Sequence, residues 1–348
     1  MKKFLLLIFL IPWLGSFSQA QDKEQVMLVV KEEKQRVEVH IGGEMFTAYR
    51  YDMELEKPVL YPVHAPGEIV VTRGFPLEPR GKERIDHPHQ VGLWFNYGDV
   101  NGMDFWNNSF AVPAERKGNY GRIIHRGIVE ARSGESQGVL EVNMEWVAPD
   151  KDQAEILLGE HTTFLFSGYE GVRMVDRITR LTAMADSVVF TDNKEGMLAI
   201  RVDRAFEHPI ESPAIFTDAR GNPTEVKVLD NEGVTGWYRN SQGDEGSDAW
   251  GKNAQWVKLS GTKAGHTCSI VLMDHPDNIN YPACWHARGY GLFSINNLGR
   301  QVYNKELEHF HLLLQKGESI TFRHRFMVAA GDLNDERIGE LYKNFTTE

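Results

Sequence analysis

The stretch "ITFRHRFMV", residues 320–328, decides the fold class because apolar and polar side chains alternate along it. Successive side chains of a β-strand point to opposite faces of the sheet. Ile320, Phe322, Phe326 and Val328 therefore share one face, and the arginines between them share the other. Such alternation is typical of a strand with one face against a core.

Shorter runs of the same kind recur along the chain between turn signals such as Gly42-Gly43. They are "HTTFLF" (161–166), "SVVFTD" (187–192), "LAIRV" (198–202) and "CSIVLMD" (268–274). The glycine- and acid-rich residues 240–253 read as a surface loop. Together these patterns predict an all-β protein, a large antiparallel sandwich of two extended sheets.

Only the carboxyl-terminal stretch "LNDERIGELYKNF", residues 333–345, has a helical period. Asn334 is a good amino-terminal cap for such a helix. One face of it would carry the apolar residues Ile338, Leu341, Tyr342 and Phe345. The sequence therefore predicts one short carboxyl-terminal helix added to the sandwich.

The amino terminus has the pattern of a secretory signal. Lys2 and Lys3 precede an apolar run over residues 4–14, and Ser18-Gln19-Ala20 supplies small residues for cleavage. We predict a signal peptide over residues 1–20 and a single sandwich domain over residues 21–348, in the periplasm or outside the cell. No later stretch reaches the roughly 18 apolar residues that a membrane helix needs, so we expect no membrane insertion.

The chain is acidic, with 38 basic and 49 acidic residues and a net charge of −11. Such a charge disfavours nucleic acid and anionic lipid as partners. An anionic small substrate is compatible with it if arginines gather locally. The two cysteines, Cys268 and Cys284, match no zinc pattern; a disulfide and two buried thiols are both open. The sequence does not indicate the oligomeric state.

The motif "DHPHQVGLWFNYGDVNGMDFW", residues 86–106, is the first candidate site. The proline disfavours helix at His87, so His87 and His89 project to one side of an extended chain. Imidazoles transfer protons near neutral pH and also bind metals. Alternatively, one ring bonds a loop carbonyl and the other is exposed. Continuous register would put both rings on the core side, so a turn or bulge before Gly92 is needed to bring them out.

Downstream in this motif, aromatic rings stand beside amide and carboxylate groups, a combination typical of sugar sites. The candidate substrate-binding residues are Trp94, Asn96, Asp104 and Trp106. The competing interpretation is that both tryptophans belong to the core.

A second motif, "DHPDNINYPACWHARGYGLFSINNLG" (274–299), repeats the combination of His-Pro and aromatics. Its candidates are His275 and His286 as acid–base groups, Trp285 as a sugar contact and Arg288 as a carboxylate clamp. The alternative for His286 is a partly exposed loop residue. If both motifs face one groove, His87 or His89 lies within about 12 Å of His275, His286 or Arg288.

A third motif, "NKEGMLAIRV" (193–202), adds Glu195 and Arg201 as substrate-binding candidates, although charges at a strand end are often merely solvated. His324, between Phe322 and Phe326 on the apolar face, reads as a hydrogen-bonded core histidine. His309 and His311 form another His-x-His pair but lack a comparable cluster, so they rank second.

These motifs and "GKNAQWVKLSG" (251–261) resemble, in the same order, those of a bacterial family once labelled methane-oxygenase-like and now of unknown function. The resemblance runs from about Gly67 to the carboxyl terminus. It implies a β-supersandwich similar to galactose mutarotases and several polysaccharide lyases, in secreted proteins of polysaccharide-degrading bacteria. It assigns no catalytic roles.

Our principal hypothesis is an exported lyase or dehydratase that acts on uronate-containing oligosaccharides by histidine acid–base chemistry. Arg288 or Arg201 would neutralise the charge that forms when the proton beside the carboxylate is removed. The alternatives are a mutarotase- or epimerase-like isomerase and a sugar-binding module without turnover. No cofactor is expected; a metal on His87 and His89 is a minor alternative that needs a third ligand.

Overall fold

Two antiparallel sheets pack face to face in the structure, a computed structural model that describes residues 23–52, 54–149, 154–169, 171–209, 222–224 and 230–347. The predicted signal peptide lies outside the described residues. The strands are β1 Val26–Lys31, β2 Arg36–Ile41, β3 Glu44–Arg50, β4 Val59–Ala65, β5 Ile69–Val70, β6 Leu93–Tyr97, β7 Arg122–Arg132, β8 Gly138–Ala148, β9 Glu155–Tyr169, β10 Val172–Ala183, β11 Ser187–Thr191, β12 Gly196–Arg201, β13 Trp237–Asn240, β14 Trp256–Lys263, β15 His266–Asp274, β16 Cys284–Trp285, β17 Leu292–Asn296, β18 His311–Gln315 and β19 Ser319–Ala330. The helices are one α-helix, α1 Asp335–Thr347, and the 3₁₀ turns Glu32–Lys34, Ala114–Asn119, Arg204–Phe206 and Gly246–Ala249.

The strand order defines two large sheets and a small one. The first sheet runs β1-β2-β3-β4-β6-β12-β17-β16, with β5 paired to β4. The second sheet runs β13-β14-β15-β19-β10-β9-β8-β7, and β11 pairs with β18. All of these pairings are antiparallel, so the predicted all-β antiparallel fold is confirmed.

The core lies between the inner faces of the two sheets. Leu198 and Ile200 of β12 enter it from the first sheet, and Phe322 and Phe326 of β19 enter it from the second. Arg201 points away from this core, as the alternation in "LAIRV" predicted. His324 is buried and its Nε2 lies 2.9 Å from Asn297 Oδ1, which confirms a hydrogen-bonded core histidine.

Helix α1 covers the outer face of the second sheet. The four predicted apolar residues of α1 are buried there, against side chains that include Met174 and Met327. Asn334 caps the helix, since its Oδ1 accepts a hydrogen bond of 2.8 Å from the backbone N–H of Arg337. The predicted helix and its cap are therefore confirmed. Among the described residues, no helix has the length and apolar character that a membrane crossing requires.

Loops, not a helix, cover the outer face of the first sheet. Neighbouring strands place Val59, Trp94 and Ala199 in one row of this face, because Trp94 pairs with both of the others. The next row contains Arg201 opposite Leu292. Polar side chains on this face meet residues from the loops before β4, before β6 and before β17.

The two cysteines are separate buried thiols. Cys268 lies on β15 of the second sheet, and Cys284 lies on β16 of the first sheet. Of the two interpretations open at the sequence level, the structure has the free thiols.

Candidate active site

A turn at Gly92 brings the histidine motif to the outer face of the first sheet. The φ angle of Gly92 is +60°, and a Cβ atom there would lie 2.3 Å from the carbonyl oxygen of Leu60. Only glycine accommodates both the left-handed conformation and this close approach. Val91 consequently packs with Trp94 on the outer face. The register required a turn or bulge before Gly92, and the chain also turns there, since the backbone N–H of Gln90 donates to the carbonyl oxygen of His87 at 3.0 Å.

Asp86 anchors the motif between two buried arginines. Its Oδ1 accepts hydrogen bonds from Arg73 at 2.8 Å and from Arg201 at 2.7 Å. The Arg73 and Arg201 side chains are 1% and 0% exposed. Burial raises the pKa of Asp86, but the hydrogen bond with His87 and the charges of both arginines outweigh it, so the pKa lies well below its usual range. Asp86 is thus a carboxylate at neutral pH.

Arg73 also fixes the backbone of this loop. Its guanidinium donates to the carbonyl oxygens of Arg84, Asp86, His87 and Gln90, at 3.2, 2.8, 2.9 and 3.0 Å. Arg201, from β12, donates to the side-chain oxygen of Gln90. Arg201 was predicted to bind substrate, but it is buried and committed to Asp86 and Gln90. Its role here is to position the loop.

His87 has the geometry of an oriented acid–base group. Its Nδ1 lies 3.3 Å from Asp86 Oδ2, and Nε2 has no hydrogen-bond partner among the residues that the structure describes. The side chain is 42% exposed, and the ring stacks on Tyr290 with centroids 5.2 Å apart and planes 3° apart. His87 also has a φ of +44°. Left-handed backbone at a non-glycine residue is strained, and such strain is enriched at functional sites.

Tyr290 joins the first motif to the second. Arg288 Cζ lies 5.8 Å from the Tyr290 ring centroid, and the His87 ring lies 5.2 Å from it, so His87 and Arg288 are no more than about 11 Å apart. Arg201 Cζ approaches the same ring to 4.8 Å. Arg288 is exposed, and within the described part of the chain no carboxylate lies within ion-pair distance of it. Arg288 is therefore available to a ligand.

His286 is buried at the other side of the same face. Its backbone pairs with Ser294 of β17 through hydrogen bonds of 3.0 and 3.3 Å. Burial lowers the pKa of His286 to about 3, and the charges of Lys194 and Arg288 contribute. In the described residues, neither His286 Nδ1 nor Ser294 Oγ has a hydrogen-bond partner. This ring is a neutral imidazole with one unused nitrogen.

His89 is a second buried, neutral imidazole, and its ring centroid is 5.6 Å from that of His87. Its Nε2 has no partner among the described residues, and its carbonyl oxygen accepts a 2.7 Å hydrogen bond from Lys57. Burial lowers the pKa of His89 well below its ordinary value, and neighbouring positive charges lower it further: Lys57, His87, Arg73 and Arg201. The local charge here is positive although the whole chain is acidic.

The two tryptophans of the first motif are structural. Trp94 and Trp106 are 0% and 1% exposed, and their rings lie 5.3 Å apart under the loops. Trp94 Nε1 donates to Asn96 Oδ1 at 3.1 Å, and the Asn96 amide donates to the carbonyl oxygen of Phe105 at 2.7 Å. The described residues enclose both rings. The expectation that Trp94, Asn96 and Trp106 contact a sugar is therefore corrected to a supporting role.

Asp104 and Glu195 meet through Asn107. The Asn107 amide donates to Asp104 Oδ2 at 2.8 Å and to Glu195 Oε2 at 2.7 Å. Asp104 Oδ1 accepts two backbone N–H groups, and Glu195 Oε1 lies 2.7 Å from Lys194. Burial raises the pKa of Asp104, and the charge of Glu195 adds to the increase. All four oxygens already have partners, so this pair orders the loop.

His275 and Trp285 do not join the site. His275 follows β15, accepts a 3.1 Å hydrogen bond from the backbone N–H of Asp277, and packs edge-on against Phe345 of α1 at 5.1 Å. It therefore lies on the helix-covered side of the sandwich. Trp285 is fully buried in the main core, where its Nε1 donates to the carbonyl oxygen of Ala254 at 2.9 Å. Both were candidates by motif, and the structure corrects both.

Sequence reasoning left four residues of this site unassigned. Asp86 and Tyr290 stand inside the quoted motifs, beside His87 and Arg288, so their positions were visible but their roles were not. Arg73 and Lys57 lie outside every motif and carry no local signal. In the portions of the chain that the structure describes, no group of three or more His, Cys, Asp or Glu side chains is arranged to hold a metal ion.

A family model matches residues 36–343 of the chain and is described as a family of unknown function, DUF6807. The chain belongs to this family. The description names no activity, so it tests neither the older methane-oxygenase label nor secretion. No curated protein sequence matches the chain.

Solved structures to which this chain is similar include an α-galactosidase and galactose mutarotase-like proteins. A GH36 α-galactosidase from Geobacillus stearothermophilus is 12% identical, with a TM-score of 0.39 over 88% of this chain and 40% of its own length. This chain therefore spans less than half of that galactosidase. A galactose mutarotase-like protein from Clostridium acetobutylicum is 12% identical, with a TM-score of 0.34 and coverages of 89% and 99%. A galactose mutarotase related enzyme from Lactobacillus acidophilus is 10% identical, with a TM-score of 0.28 and coverages of 89% and 98%. At these identities and TM-scores, what these proteins bind or catalyse carries no argument about the function of this chain.

Proposed function

We propose that this protein is an exported enzyme that performs acid–base chemistry on a sugar bearing a carboxylate. The observation that carries the proposal is the Asp86–His87 pair, an exposed imidazole held by a carboxylate that two buried arginines keep ionised. A carboxylate on Nδ1 fixes the tautomer and orientation of an imidazole and stabilises its protonated form. His87 Nε2 would then accept a proton from substrate.

The positive charge at this face supports an anionic substrate. Arg288 is exposed beside Tyr290, and its planar guanidinium can bind a carboxylate through two hydrogen bonds. Removal of the proton beside a carboxylate creates a dianion, and a guanidinium on that carboxylate stabilises the developing charge. Arg201 was the other candidate for this role, but its burial assigns it to loop positioning.

The reaction that uses these parts is a β-elimination from a uronate unit. His87 removes the proton on the carbon beside the carboxylate, the bond from the adjacent carbon to its oxygen breaks, and a carbon–carbon double bond forms. The leaving oxygen takes a proton, which we assign to the hydroxyl of Tyr290 because its ring lies against His87. Epimerisation would use the same proton removal followed by its return to the opposite face.

A direct assay separates elimination, epimerisation and binding. The protein is incubated with uronate-containing oligosaccharides and with matched neutral oligosaccharides. Elimination gives the ultraviolet absorbance of the conjugated unsaturated product only with the uronates. Epimerisation gives no absorbance but exchanges solvent deuterium into the sugar, which NMR detects. Binding without either signal would reject the enzyme proposal.

A further inference from the structure

A cavity beside His89 lies next to the acid–base pair without including it. Its volume is about 320 Å³, within the usual range for small-molecule sites. It opens on the outer face of the first sheet, between the loops before β4 and β6. Its walls are mainly apolar and include Leu55, Phe75 and Phe110; its polar lining includes Glu54, Lys57 and His89.

Lys57 is a buried cation without a counter-ion in this cavity. It is 4% exposed, and its ammonium donates to the carbonyl oxygen of His89 at 2.7 Å. Across the described residues, no carboxylate oxygen lies within 4 Å of Lys57 Nζ. The nearest acid in sequence, Glu56, is already paired with Lys117 and Arg122 at 2.8 Å each. Its Nζ also lies 5.5 Å from the centroid of the Trp94 ring, a cation–π contact. These contacts do not neutralise the buried charge, so an anion at this position would be favoured.

His89 supplies a second unused polar group to the same cavity. Its Nε2 is buried and unpartnered in the described structure, and the residue is more than nine-tenths buried. Neutral imidazole can donate one hydrogen bond from Nε2. Burial lowers the pKa of His89, and the surrounding positive charges, of which Lys57 contributes most, lower it further. A ligand acceptor atom between Lys57 and His89 would satisfy both groups.

We propose that this cavity binds a carboxylic acid with an apolar, ring-sized body. The carboxylate contacts the ammonium of Lys57 and Nε2 of His89, and the body packs on the apolar walls. Phe110, whose residue surface is 68% exposed, stands at the rim, where it can cover a bound ring. The proposal does not depend on the reaction at His87, because the two positions share only a loop.

Binding should depend on pH through Lys57. Burial lowers its pKa to about 7, and the charges of Glu56 and Asp104 partly oppose this. An anion raises the pKa of Lys57 in the complex, so the affinity is full below about pH 7 and falls by up to about tenfold per pH unit above it. The other charged groups that face this position are Glu54, Lys117, Arg122, His87, His89, Arg73, Arg201 and Asp86. Of these, the pKa of Asp86 lies well below its usual range because of its hydrogen bond with His87 and the charges of Arg201 and Arg73, so Asp86 keeps its charge throughout this range.

The test uses benzoate and its neutral isostere benzamide with the whole protein. Isothermal titration calorimetry from about pH 6 to pH 9 should show benzoate binding at least about tenfold tighter than benzamide at the lower pH. Near pH 7, titrations in two buffers of different ionisation enthalpy should reveal uptake of about half a proton. Equal affinities for the two probes, absence of benzoate binding, or an affinity independent of pH would each overturn the proposal.

Lys57→Met tests the assignment to this residue. Methionine keeps the length of the side chain and removes its charge, so we expect benzoate affinity to fall at least about tenfold while benzamide is unaffected. Lys316→Met, at a surface residue that is 67% exposed, is the matched control and should change neither affinity. Thermal unfolding checks that both variants are folded. If Lys57→Met does not fold, the pH profile of the wild-type protein still decides the proposal.

Discussion

Replacement of His87 by asparagine is the sharpest test of the acid–base assignment. Asparagine tolerates the left-handed backbone at this position and can still bond Asp86, but it lacks the imidazole. Losing the general base should lower turnover by about 10²–10⁴-fold. The free energy of unfolding should change by only about 1 kcal/mol, because the main loss is one ring stack on a side chain that is 42% exposed. That corresponds to a shift of roughly 2–4 °C in Tm or less.

The assay follows unsaturated product from uronate oligosaccharides and, in parallel, thermal unfolding of the same samples. His161→Asn is the matched control, since His161 is 41% exposed and also pairs with a carboxylate, Glu141, at 2.6 Å. His161 lies on β9 of the second sheet, away from the site, so its variant should retain full turnover. If His87→Asn keeps turnover within about threefold of wild type, proton transfer by His87 is refuted. If both variants lose activity equally, the loss is structural.

Three further predictions concern the support of this site. Asp86→Asn leaves two buried guanidiniums without their carboxylate, so unfolding free energy should fall by about 2–4 kcal/mol in urea titrations. Because the folded pKa of Asp86 is depressed, its contribution to stability is present above about pH 4 and is lost as the pH falls further. The variant should lack this dependence of unfolding free energy on pH. The same dependence in both proteins would contradict the assignment. Trp94→Ala should cost about 3–5 kcal/mol of stability, and a folded variant with normal stability but no sugar binding would restore the tryptophan to the binding site. Gly92→Ala should cost about 1–3 kcal/mol and lower turnover, because its Cβ meets a carbonyl oxygen; an unchanged Tm would show that the turn is not required.

The fold was readable because its signals are local. Alternation in residues 320–328 reports which side chains share a face, and that property depends only on the strand backbone. The same logic placed Arg201 away from the core and Asn334 at the start of α1. Strand order was not readable, because nothing in "LAIRV" indicates that β6 and β17 are its neighbours.

The site was only partly readable because burial depends on remote residues. Trp94 and Trp106 are residues of the type on which sugars stack. Their burial could not be predicted, because Leu55, Leu77 and Tyr290 pack near them from distant loops. The two His-Pro pairs look alike in sequence, although one precedes a strand of the first sheet and His275 follows a strand of the second. The two His-Pro pairs therefore lie on opposite sides of the sandwich, although Arg288 and Tyr290 of the second motif reach the first.

The contact of Asp86 with two arginines could not be predicted from the sequence, for a related reason. Arg73 and Arg201 are far apart in sequence. An antiparallel bridge between Thr72 and Val202 places them side by side, and the pairing of β12 with β6 brings the Asp86 loop to them. No spacing rule relates them. The motif did contain Asp86, and an acid directly before a histidine is the one local signal that pointed to the pair.

Arg73 holds the backbone of the loop that carries His87 and His89, residues 84–90, through four contacts that do not involve the loop's side chains. Its guanidinium recognises four main-chain carbonyl oxygens, and every residue type presents the same oxygen there. A side chain at position 87 that tolerates the left-handed backbone can therefore be exchanged without loss of these four carbonyl contacts. The entropic cost of ordering the loop is incurred during folding, so it does not weaken the binding of a ligand. Point substitutions in this loop would change its chemistry while Arg73 keeps its backbone in place.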